Sequence, residues 1–555
     1  MKKVHFLPML LAAAALSTAC QKTLENEGTT PYEGNKGYVN ISLNLPTTSG
    51  GNTRANDLDA GIEAEYNVYS TIIALFYGPN EAEATCRIAF KLEDKDFSQV
   101  SQNGNVTTTY GSGAWMVPAP EAGENVYALA VLNAPSGLFS VTGIASASAV
   151  VTSTLNFKGN AFTGTVSELT TTSQDYSADI VSTTAGFLMT NAPIATGDNN
   201  NVTVQTLQKI NVYATEDEAN GAADKIYVER ASAKVSMVVD NSYTVDTPNV
   251  PSYDNATVTV TGWTLQRTNK TYYAVRNASN WASWDDADVR FFGERNDPIR
   301  VYWAEDPNYP SEAPADFNVI ETASDVDGWN PVEDGNAAYC AENTAPAVNM
   351  TKGQLTSSII RATFLPEGFA ADADFFMMGG TSAIMGIDDF KTWVKDILDA
   401  EEVTVSNTVT AGGSYTNSSD ANLISLVSVR MKGENAVDAL TEEEAGKLLA
   451  AANGVIKYYK GGVCYYNVYI RHFDDEQTPL PNDFTNANDY DASTLGRWGV
   501  VRNNWYELTV NSVSGPGEPD IPEVDDDDPA DEQNQYINCE INILSWAVRE
   551  QEIDL

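Results

Sequence analysis

The chain has 555 residues and carries 32 Lys and Arg against 76 Asp and Glu, a formal net charge of −44. A surface that grips nucleic acid or anionic lipid needs a basic patch, so this balance excludes both as partners. Hydrophobic residues make up 43% of the chain, enough for large cores, and the length predicts two or three domains. Because His5 and His472 are the only histidines, poly-histidine metal sites are excluded.

The first twenty residues have the pattern of an export signal. Two lysines precede a mostly apolar run from Phe6 to Leu16, and small residues then lead to Cys20. The run is shorter than the roughly 20 residues that a bilayer-spanning helix needs. A cysteine at this place resembles a bacterial lipoprotein signal, in which the cysteine becomes the lipidated N-terminus. We therefore expect residues 1–20 to direct export and Cys20 to be lipidated.

A polar tether is followed by a strand and then by a loop. Apolar and polar residues alternate from Tyr38 to Leu45, and this period of two predicts a half-buried strand. Its apolar residues are Val39, Ile41, Leu43 and Leu45. The residues after Pro46 have turn chemistry and no apolar anchor, which predicts an exposed loop around Arg54.

Many short strands separated by turn clusters follow along the chain. Strands at such short intervals predict antiparallel sandwiches rather than a parallel sheet with crossover helices. The clearest candidates are Thr71–Tyr77, Val126–Leu132, Phe187–Thr190, Ala233–Val239, Ala256–Trp263, Tyr272–Val275, Ile359–Phe364, Val463–Ile470 and Trp505–Val510.

Two helices are predicted as insertions in the second half. One runs from Asp389 to about Glu401, and the other starts with a capping box of Thr441 and Glu444 and stops at Asn453-Gly454. The cysteines other than Cys20 match no zinc or redox spacing, and we interpret them as buried small hydrophobic residues whose pairing stays open. They are Cys86, Cys340, Cys464 and Cys539.

The C-terminal end combines a linker with a final strand. Residues 515–534 contain four Pro and nine Asp or Glu, and this composition predicts an extended segment that reaches about 60 Å at roughly 3.1 Å per residue. Period two then returns, and it predicts a terminal strand offered to another molecule. The apolar residues of this strand are Ile537, Cys539, Ile541 and Ile543, and after a shift Leu544, Trp546 and Val548.

These features suggest a mechanism. If cleavage after Arg54 removed the first strand, an apolar groove with unpaired backbone edges would remain. The C-terminal strand of another copy could fill it by β-augmentation. Because groove and strand lie on different surfaces of one chain, the contact would propagate as a filament. The residues alone leave open an alternative in which each terminal strand is a static part of its own domain.

Several segments also carry a resemblance that spans nearly the whole chain. They are the signal ending at Cys20, Asn44–Pro46 before Thr53-Arg54, Val126–Leu129, Glu229–Lys234, Tyr465–Tyr469, Arg502–Tyr506 and Ile543–Leu555. In this order they resemble the shaft subunits of Bacteroidia-type (type V) fimbriae, with the closest likeness to the major subunit of the short, or minor, fimbriae.

The resemblance implies a mainly β fold with two transthyretin-like or Ig-like antiparallel β-sandwich domains and a few inserted helices. It also implies lipidation of Cys20, cleavage between Arg54 and Ala55 by an Arg-specific protease, and donor-strand polymerisation. The removable strand would carry Val39, Ile41, Leu43 and Leu45, and the donor strand Ile537, Cys539, Ile541, Ile543, Trp546 and Val548. The expected divisions are a signal peptide (1–20), a propeptide (21–54), two β-sandwich domains (55–240 and 241–514), an acidic linker (515–534) and the donor strand (535–555).

We therefore expect a structural subunit of a fimbrial shaft that supports adhesion and biofilm formation, not an enzyme, with no cofactor and no metal. Its expected location is the outer membrane as a lipidated precursor and then the cell-surface fimbrium. Its partners would be other copies, accessory tip and anchor subunits, and the maturation protease.

Three other interpretations are open. A monomeric adhesive or carbohydrate-binding lipoprotein would need exposed aromatic residues such as Trp281 or Trp284. A glycoside hydrolase would need only two carboxylates, which an acidic chain supplies without a recognisable motif. Calcium binding through Asp325, Asp327 and Asp334 departs from the EF-hand spacing, and a solvated turn is the better interpretation.

Overall fold

The computed structural model describes residues 32–46, 62–92, 98–103, 107–143, 148–196, 203–281, 299–301, 303–309, 313–333, 336–379, 381–531 and 537–544. Several residues singled out from the sequence lie outside these ranges. They are Cys20, Arg54, Ala55, Trp284, Asp334, Trp546 and Val548.

Strands dominate the described part of the chain. Those of the N-terminal part are β1 (Lys36–Pro46), β2 (Thr71–Gly78), β3 (Thr85–Leu92), β4 (Ser98–Asn103), β5 (Thr107–Pro118), β6 (Asn125–Leu132), β7 (Phe139–Thr142), β8 (Thr154–Phe157), β9 (Asn160–Ala161), β10 (Ser173–Asp175), β11 (Val181–Ser182), β12 (Gly186–Phe187), β13 (Met189–Asn191), β14 (Ile194–Thr196), β15 (Thr203–Gln205), β16 (Gln208–Ile210) and β17 (Asp224–Arg230).

The strands that follow are β18 (Ala233–Val238), β19 (Tyr243–Thr244), β20 (Thr257–Gln266), β21 (Thr268–Asn269), β22 (Thr271–Tyr273), β23 (Ile299–Arg300), β24 (Phe317–Asn318), β25 (Ala337–Cys340), β26 (Ser357–Leu365), β27 (Phe375–Met378), β28 (Ile384–Gly386), β29 (Ala400–Val405), β30 (Gly413–Tyr415), β31 (Val427–Met431), β32 (Asp438–Ala439), β33 (Ile456–Tyr459), β34 (Val463–Tyr469), β35 (Trp505–Val513) and β36 (Ile537–Leu544).

The helices are short, and none in the described ranges has the length and apolar character to cross a bilayer. They are α1 (Val166–Thr170), α2 (Glu216–Asn220), α3 (Ile387–Leu398), α4 (Ala421–Leu426) and α5 (Glu442–Ala451).

A single folded sheet forms the N-terminal sandwich. Its strand order is β3-β2-β6-β13-β17-β1-β5-β4, and β16 pairs with β6. Phe90 in β3 stacks on Trp115 in β5 with ring centroids 4.5 Å apart. Because β3 and β5 stand near opposite ends of the sheet, this contact means that the sheet curves back and encloses a core.

Two separate sheets form the C-terminal sandwich. Their orders are β25-β18-β35-β36 and β19-β20-β26-β34, and side chains from both enclose one core that includes Val235, Leu508, Val260, Ile360 and Tyr466. The predicted mainly β sandwich fold is therefore confirmed. The chain leaves the N-terminal sheet after β17 and enters the C-terminal one with β18, before the predicted boundary at residue 240.

Two strand pairs are parallel, although the short spacing of the strands predicted antiparallel sandwiches. The strand β1 runs parallel to β17, and β18 runs parallel to β35. These partners are far apart in sequence, so no tight turn forces them into opposite directions. Among the described strands the sheets are antiparallel apart from these two pairs.

The predicted strands and helices are present, with altered ends. The predicted strand Phe187–Thr190 is divided into β12 and β13 because the Leu188 amide donates to the Ile180 carbonyl outside the sheet. The helix predicted from Asp389 runs over Ile387–Leu398 and ends at Asp399, whose φ is 55°. In α5 the Glu444 carboxylate accepts from the Thr441 amide and the Thr441 hydroxyl accepts from the Glu444 amide, the predicted capping box.

Cysteine burial follows the prediction from the sequence. All four described cysteines are free thiols, three of them buried and Cys539 partly buried. Burial raises the pKa of the Cys340 thiol to about 12. These cysteines therefore serve as small core side chains in the structure.

A buried ion network joins the two sandwiches. The Arg276 Nε atom lies 2.8 Å from Glu229 Oε1 at the end of β17, and Arg276 Nη2 lies 3.6 Å from Glu342 Oε1. Glu342 Oε2 lies 3.0 Å from Arg502 Nε, and Arg502 also donates to the Tyr273 carbonyl. All four charged side chains are buried, so each depends on its partners for compensation of lost hydration.

Replacement of Glu342 tests this network. Glu342→Ala leaves the buried Arg502 guanidinium without its carboxylate, and we expect a loss of about 3–5 kcal/mol in the free energy of unfolding. Denaturant unfolding followed by tryptophan fluorescence measures this loss. The control is Glu443→Ala, which removes an exposed pair with Lys447 and is expected to leave the free energy of unfolding nearly unchanged. Equal losses in both variants would contradict the role assigned to the network.

Candidate strand-exchange site

The predicted removable strand, β1, lies inside the N-terminal sheet. It pairs antiparallel with β5 from Lys36 to Pro46 and parallel with β17 from Ile41 to Asn44. Both of its backbone edges are therefore occupied. Loss of β1 would leave β5 and β17 each with an unpaired edge.

The apolar face of β1 fills the core between the two arms of the sheet. Val39 and Leu45 are 1% exposed, and Ile41 and Leu43 are 0% exposed. Full burial of one such side chain stabilises a fold by about 1.5–3 kcal/mol, so the four together contribute roughly 6–12 kcal/mol. The N-terminal sandwich therefore depends on a strand with four apolar side chains at this position.

The polar face of β1 is covered as well, contrary to the expectation of a half-buried strand. Asn40 is 8% exposed, and Ser42 and Asn44 are each 7% exposed. Helix α2 lies nearby, and the Asn40 Nδ2 atom donates to the Ala219 carbonyl over 3.1 Å. The sequence signal for α2 is a capping box of Thr215 and Glu218, which our sequence analysis missed.

A bulge in β5 sits opposite the centre of β1. Asn40 faces Ala114 and Ser42 faces Gly111, so β5 has one residue more than β1 between these pairs. The Ile41 amide donates to the Ser112 hydroxyl over 3.0 Å. Glycine at position 111 places no side chain beside Ser42.

The predicted donor strand, β36, lies at the edge of the C-terminal sandwich. It pairs antiparallel with β35, with Ile541 opposite Leu508 and Cys539 opposite Val510. Within the described residues β35 is its only neighbour in the sheet, and the side chains of Cys539 and Ile541 are only partly buried against the core. An edge strand of this kind has one unpaired backbone side.

The composition of the acidic linker predicted an extended segment, but the described part of the linker does not extend into solvent. Tyr465 and Glu518 exchange backbone hydrogen bonds of 2.8 and 2.9 Å. Ile521 and Ala530 are buried. The described part of the linker, residues 515–531, therefore lies along the body of the protein.

Ion pairs explain why the linker is held. Lys457 lies 2.6 Å from Glu518, and Lys352 lies 3.2 Å from Asp528. At the end of the described linker Asp531 lies 2.6 Å from Arg497, and both side chains are buried. The prediction of an extended linker from its composition did not account for these basic partners on the body of the protein.

The two terminal strands share a residue pattern that our sequence analysis missed. Val39-Asn-Ile-Ser-Leu-Asn-Leu45 and Ile537-Asn-Cys-Glu-Ile-Asn-Ile543 both have apolar residues at the odd places and asparagine at the second and sixth. The only change in charge is at the centre, where Ser42 corresponds to Glu540. Seven-residue alignment of the two strands would have found this signal.

The other candidate residues have structural roles. His472 is buried, and its Nδ1 atom lies 2.7 Å from the Tyr506 hydroxyl oxygen. Trp281 packs partly buried against a small core cluster. The Asp325 carboxylate accepts the Thr322 amide over 2.7 Å as the cap of a short helical turn. Among the described residues no group of three or more His, Cys, Asp or Glu side chains could hold a metal ion.

A comparison with protein families relates the C-terminal part of the chain to fimbriae. Residues 457–552 match the family "Major fimbrial subunit protein type IV, Fimbrillin, C-terminal". This match confirms the resemblance to fimbrial subunits. It does not separate the subunits of short fimbriae from others, so that finer likeness stays a prediction. No curated protein sequence matches the chain.

Solved structures show low similarity over most of the chain. A putative cell adhesion protein from Parabacteroides distasonis is 13% identical, with 94% of this chain and 100% of that chain covered and a TM-score of 0.38. A fimbrilin from Porphyromonas gingivalis is 13% identical, with 92% and 99% covered and a TM-score of 0.37. The tip fimbrial protein Mfa3 from Porphyromonas gingivalis is 11% identical, with 91% and 100% covered and a TM-score of 0.28. The relation to fimbrial subunits therefore depends on the family match.

The difference in burial between the two terminal strands can be measured. We expect Leu43→Ala to lower the free energy of unfolding of the uncleaved chain by about 2–5 kcal/mol, because it opens a cavity in a closed core. Ile541→Ala is the matched change in a partly buried strand, and a smaller loss is expected. Urea unfolding of both variants measures the difference. A loss for Ile541→Ala equal to that for Leu43→Ala would contradict this ranking.

The attachment of the linker gives a second test. Asp531→Ala removes the buried partner of Arg497, and we expect amide hydrogen exchange in residues 525–531 and 537–544 to become about tenfold faster or more. Peptide mass spectrometry measures these rates. The control is Asp527→Ala, which removes an exposed carboxylate of the same linker and should leave exchange unchanged. Unchanged exchange in Asp531→Ala would show that the ion pair does not hold the linker.

Proposed function

We propose that the chain is a structural subunit of a fimbrial shaft that polymerises by exchange of its terminal strands. In this proposal it is exported as a lipoprotein on Cys20 to the outer membrane, and an Arg-specific protease cuts it between Arg54 and Ala55. The product joins a cell-surface fimbrium that supports adhesion and biofilm formation. Its partners are other copies of the chain and accessory tip and anchor subunits.

The observation that carries the proposal is the match between the two terminal strands. One has its four apolar side chains buried at the middle of a sheet, and the other has the same pattern at the edge of a different sheet. A strand that copies the apolar and amide pattern of β1 is suited to the groove that β1 fills. The fimbrillin family match over residues 457–552 supports the same conclusion.

The connection between β1 and β2 determines how β1 can leave the sheet. β1 is joined to β2 through residues 47–70, which include Arg54. A cut there leaves β1 attached to the domain only by hydrogen bonds and packing, so it becomes a separate peptide that a competing strand can replace. Before the cut, the covalent link keeps β1 at a high local concentration and prevents replacement.

Burial and backbone pairing favour the movement of β36 into that groove. In its own chain β36 pairs on one side, and its Cys539 and Ile541 side chains are partly buried. The corresponding places in the groove, those of Ile41 and Leu43, are 0% exposed. Leu43 has strand partners on both sides, and Ile41 pairs with β17 on one side and donates its amide to the Ser112 hydroxyl on the other. A strand that moves there buries more apolar surface and gains a second row of hydrogen bonds.

The placement of donor and groove favours a filament. The groove belongs to the N-terminal sandwich and the donor to the C-terminal one. Each subunit would therefore give one strand and receive another at a different surface. Such a heterologous contact extends without closure.

Controlled cleavage of purified precursor tests the proposal. Low doses of trypsin should produce filaments by electron microscopy and ladders on gels of unheated samples. Deletion of residues 537–555 removes the donor and should leave monomers, and Arg54→Ala should resist activation. Arg87→Ala, a change of a partly exposed arginine elsewhere in the same domain, serves as the control and should assemble normally. Cut wild-type chains that stay monomeric, or assembly without residues 537–555, would overturn the proposal.

A further inference from the structure

We propose that Glu540 of one subunit pairs with Lys225 of the next and that this ion pair sets the register of strand exchange. This inference rests on the proposed function, because it needs β36 of one copy to replace β1 of another. It starts from the only charged residue in the seven-residue pattern, Glu540, which corresponds to Ser42 in β1.

The position of Ser42 lies directly beside a lysine. Ser42 and Lys225 are paired residues of the parallel strands β1 and β17. Paired residues in neighbouring strands point to the same face of the sheet, so a carboxylate at the position of Ser42 would face the Lys225 side chain. Lys225 is exposed and has no ion pair with any other described residue.

One flank of the same position carries no side chain. The residue on the other side of Ser42 is Gly111 in β5, which has no side chain. Glutamate can therefore replace serine there without a clash against β5. The position therefore has glycine on one side and lysine on the other. These neighbours suit a carboxylate better than they suit the serine that occupies the position before cleavage.

Burial makes a basic partner necessary. Ser42 is 7% exposed, and a carboxylate in so enclosed a place is unfavourable unless it is paired. The nearby acids Glu216, Asp217 and Glu218 begin α2 and are exposed, and Glu218 is engaged by the Thr215 amide. Lys225 is the basic group in direct register with the position.

The ion pair between Glu540 and Lys225 distinguishes registers that are equally favourable for apolar packing. A slip of two residues keeps apolar side chains in apolar pockets, because the pattern has period two. The same slip moves Glu540 to the place of Asn44, beside Tyr227, or to the place of Asn40. Asn40 donates to the Ala219 carbonyl, and an ionised carboxylate cannot donate.

The unslipped register also restores the amide contacts. It places Asn538 and Asn542 where Asn40 and Asn44 stand in the uncleaved chain. With β36 running in the direction of β1, the parallel pairing with β17 and the antiparallel pairing with β5 are both retained. The ion pair, the amide contacts and the apolar side chains then all favour the same register.

Charge reversal in the full chain tests the pair. After trypsin cleavage we expect Lys225→Glu and Glu540→Lys each to assemble about tenfold more slowly than wild type, since like charges then face each other. The double variant restores opposite charges and should assemble within about threefold of wild type. Lys91→Glu, an exposed lysine on β3 of the same sheet, is the control and should assemble at the wild-type rate.

A disulfide reports the register directly. Mixed polymers of Glu540→Cys and Lys225→Cys subunits should form disulfide-linked dimers under mild oxidation, and Glu540→Cys with Lys91→Cys should not. Wild-type filaments combined with normal assembly of both charge variants and no cross-link would overturn the register but leave strand exchange intact. Absence of wild-type assembly would overturn the proposed function itself.

Discussion

The structure of the N-terminal domain depends on a strand that occupies the position of β1. The strand stands between β5 and β17, and its apolar residues, among them Ile41 and Leu43, are shielded from water by the two arms of the folded sheet. Helix α2 covers the other face. A segment that lies so centrally cannot be lost without a replacement of the same shape, because both backbone edges and a large apolar area would be exposed at once.

The linker and β36 are packed against the rest of the protein in the uncleaved chain. Its linker is fastened to the body by ion pairs that end in the buried contact between Arg497 and Asp531, and β36 continues the sheet of the C-terminal sandwich. The uncleaved chain therefore fills the groove with β1 and pairs one side of the strand that we propose to replace it. The weaker burial of β36, compared with that of β1, gives the proposed exchange its direction.

The large negative charge has more than one use in this arrangement. Part of it holds the linker to lysines and arginines of the body, and part stays on the surface, where it opposes aggregation of a protein rich in strands. A charge at the centre of the donor strand is unusual, because that strand otherwise has an apolar face and uncharged amides. Lys225 at the matching place of the groove explains why this one position can be acidic.

Short patterns in the sequence were enough to predict the local features of this protein. Period-two patterns located β1 and β36, turn clusters on either side located β2 and β6, and the capping box at Thr441 located α5, because each of these signals lies within a few neighbouring residues. Tertiary structure alone decided the parallel partners of β1 and β18, the cover that α2 places on Asn40, and the attachment of the linker through Asp531. Each of those depends on contacts between segments far apart in the chain, where burial and charge pairing outweigh local composition and no short pattern records the partner.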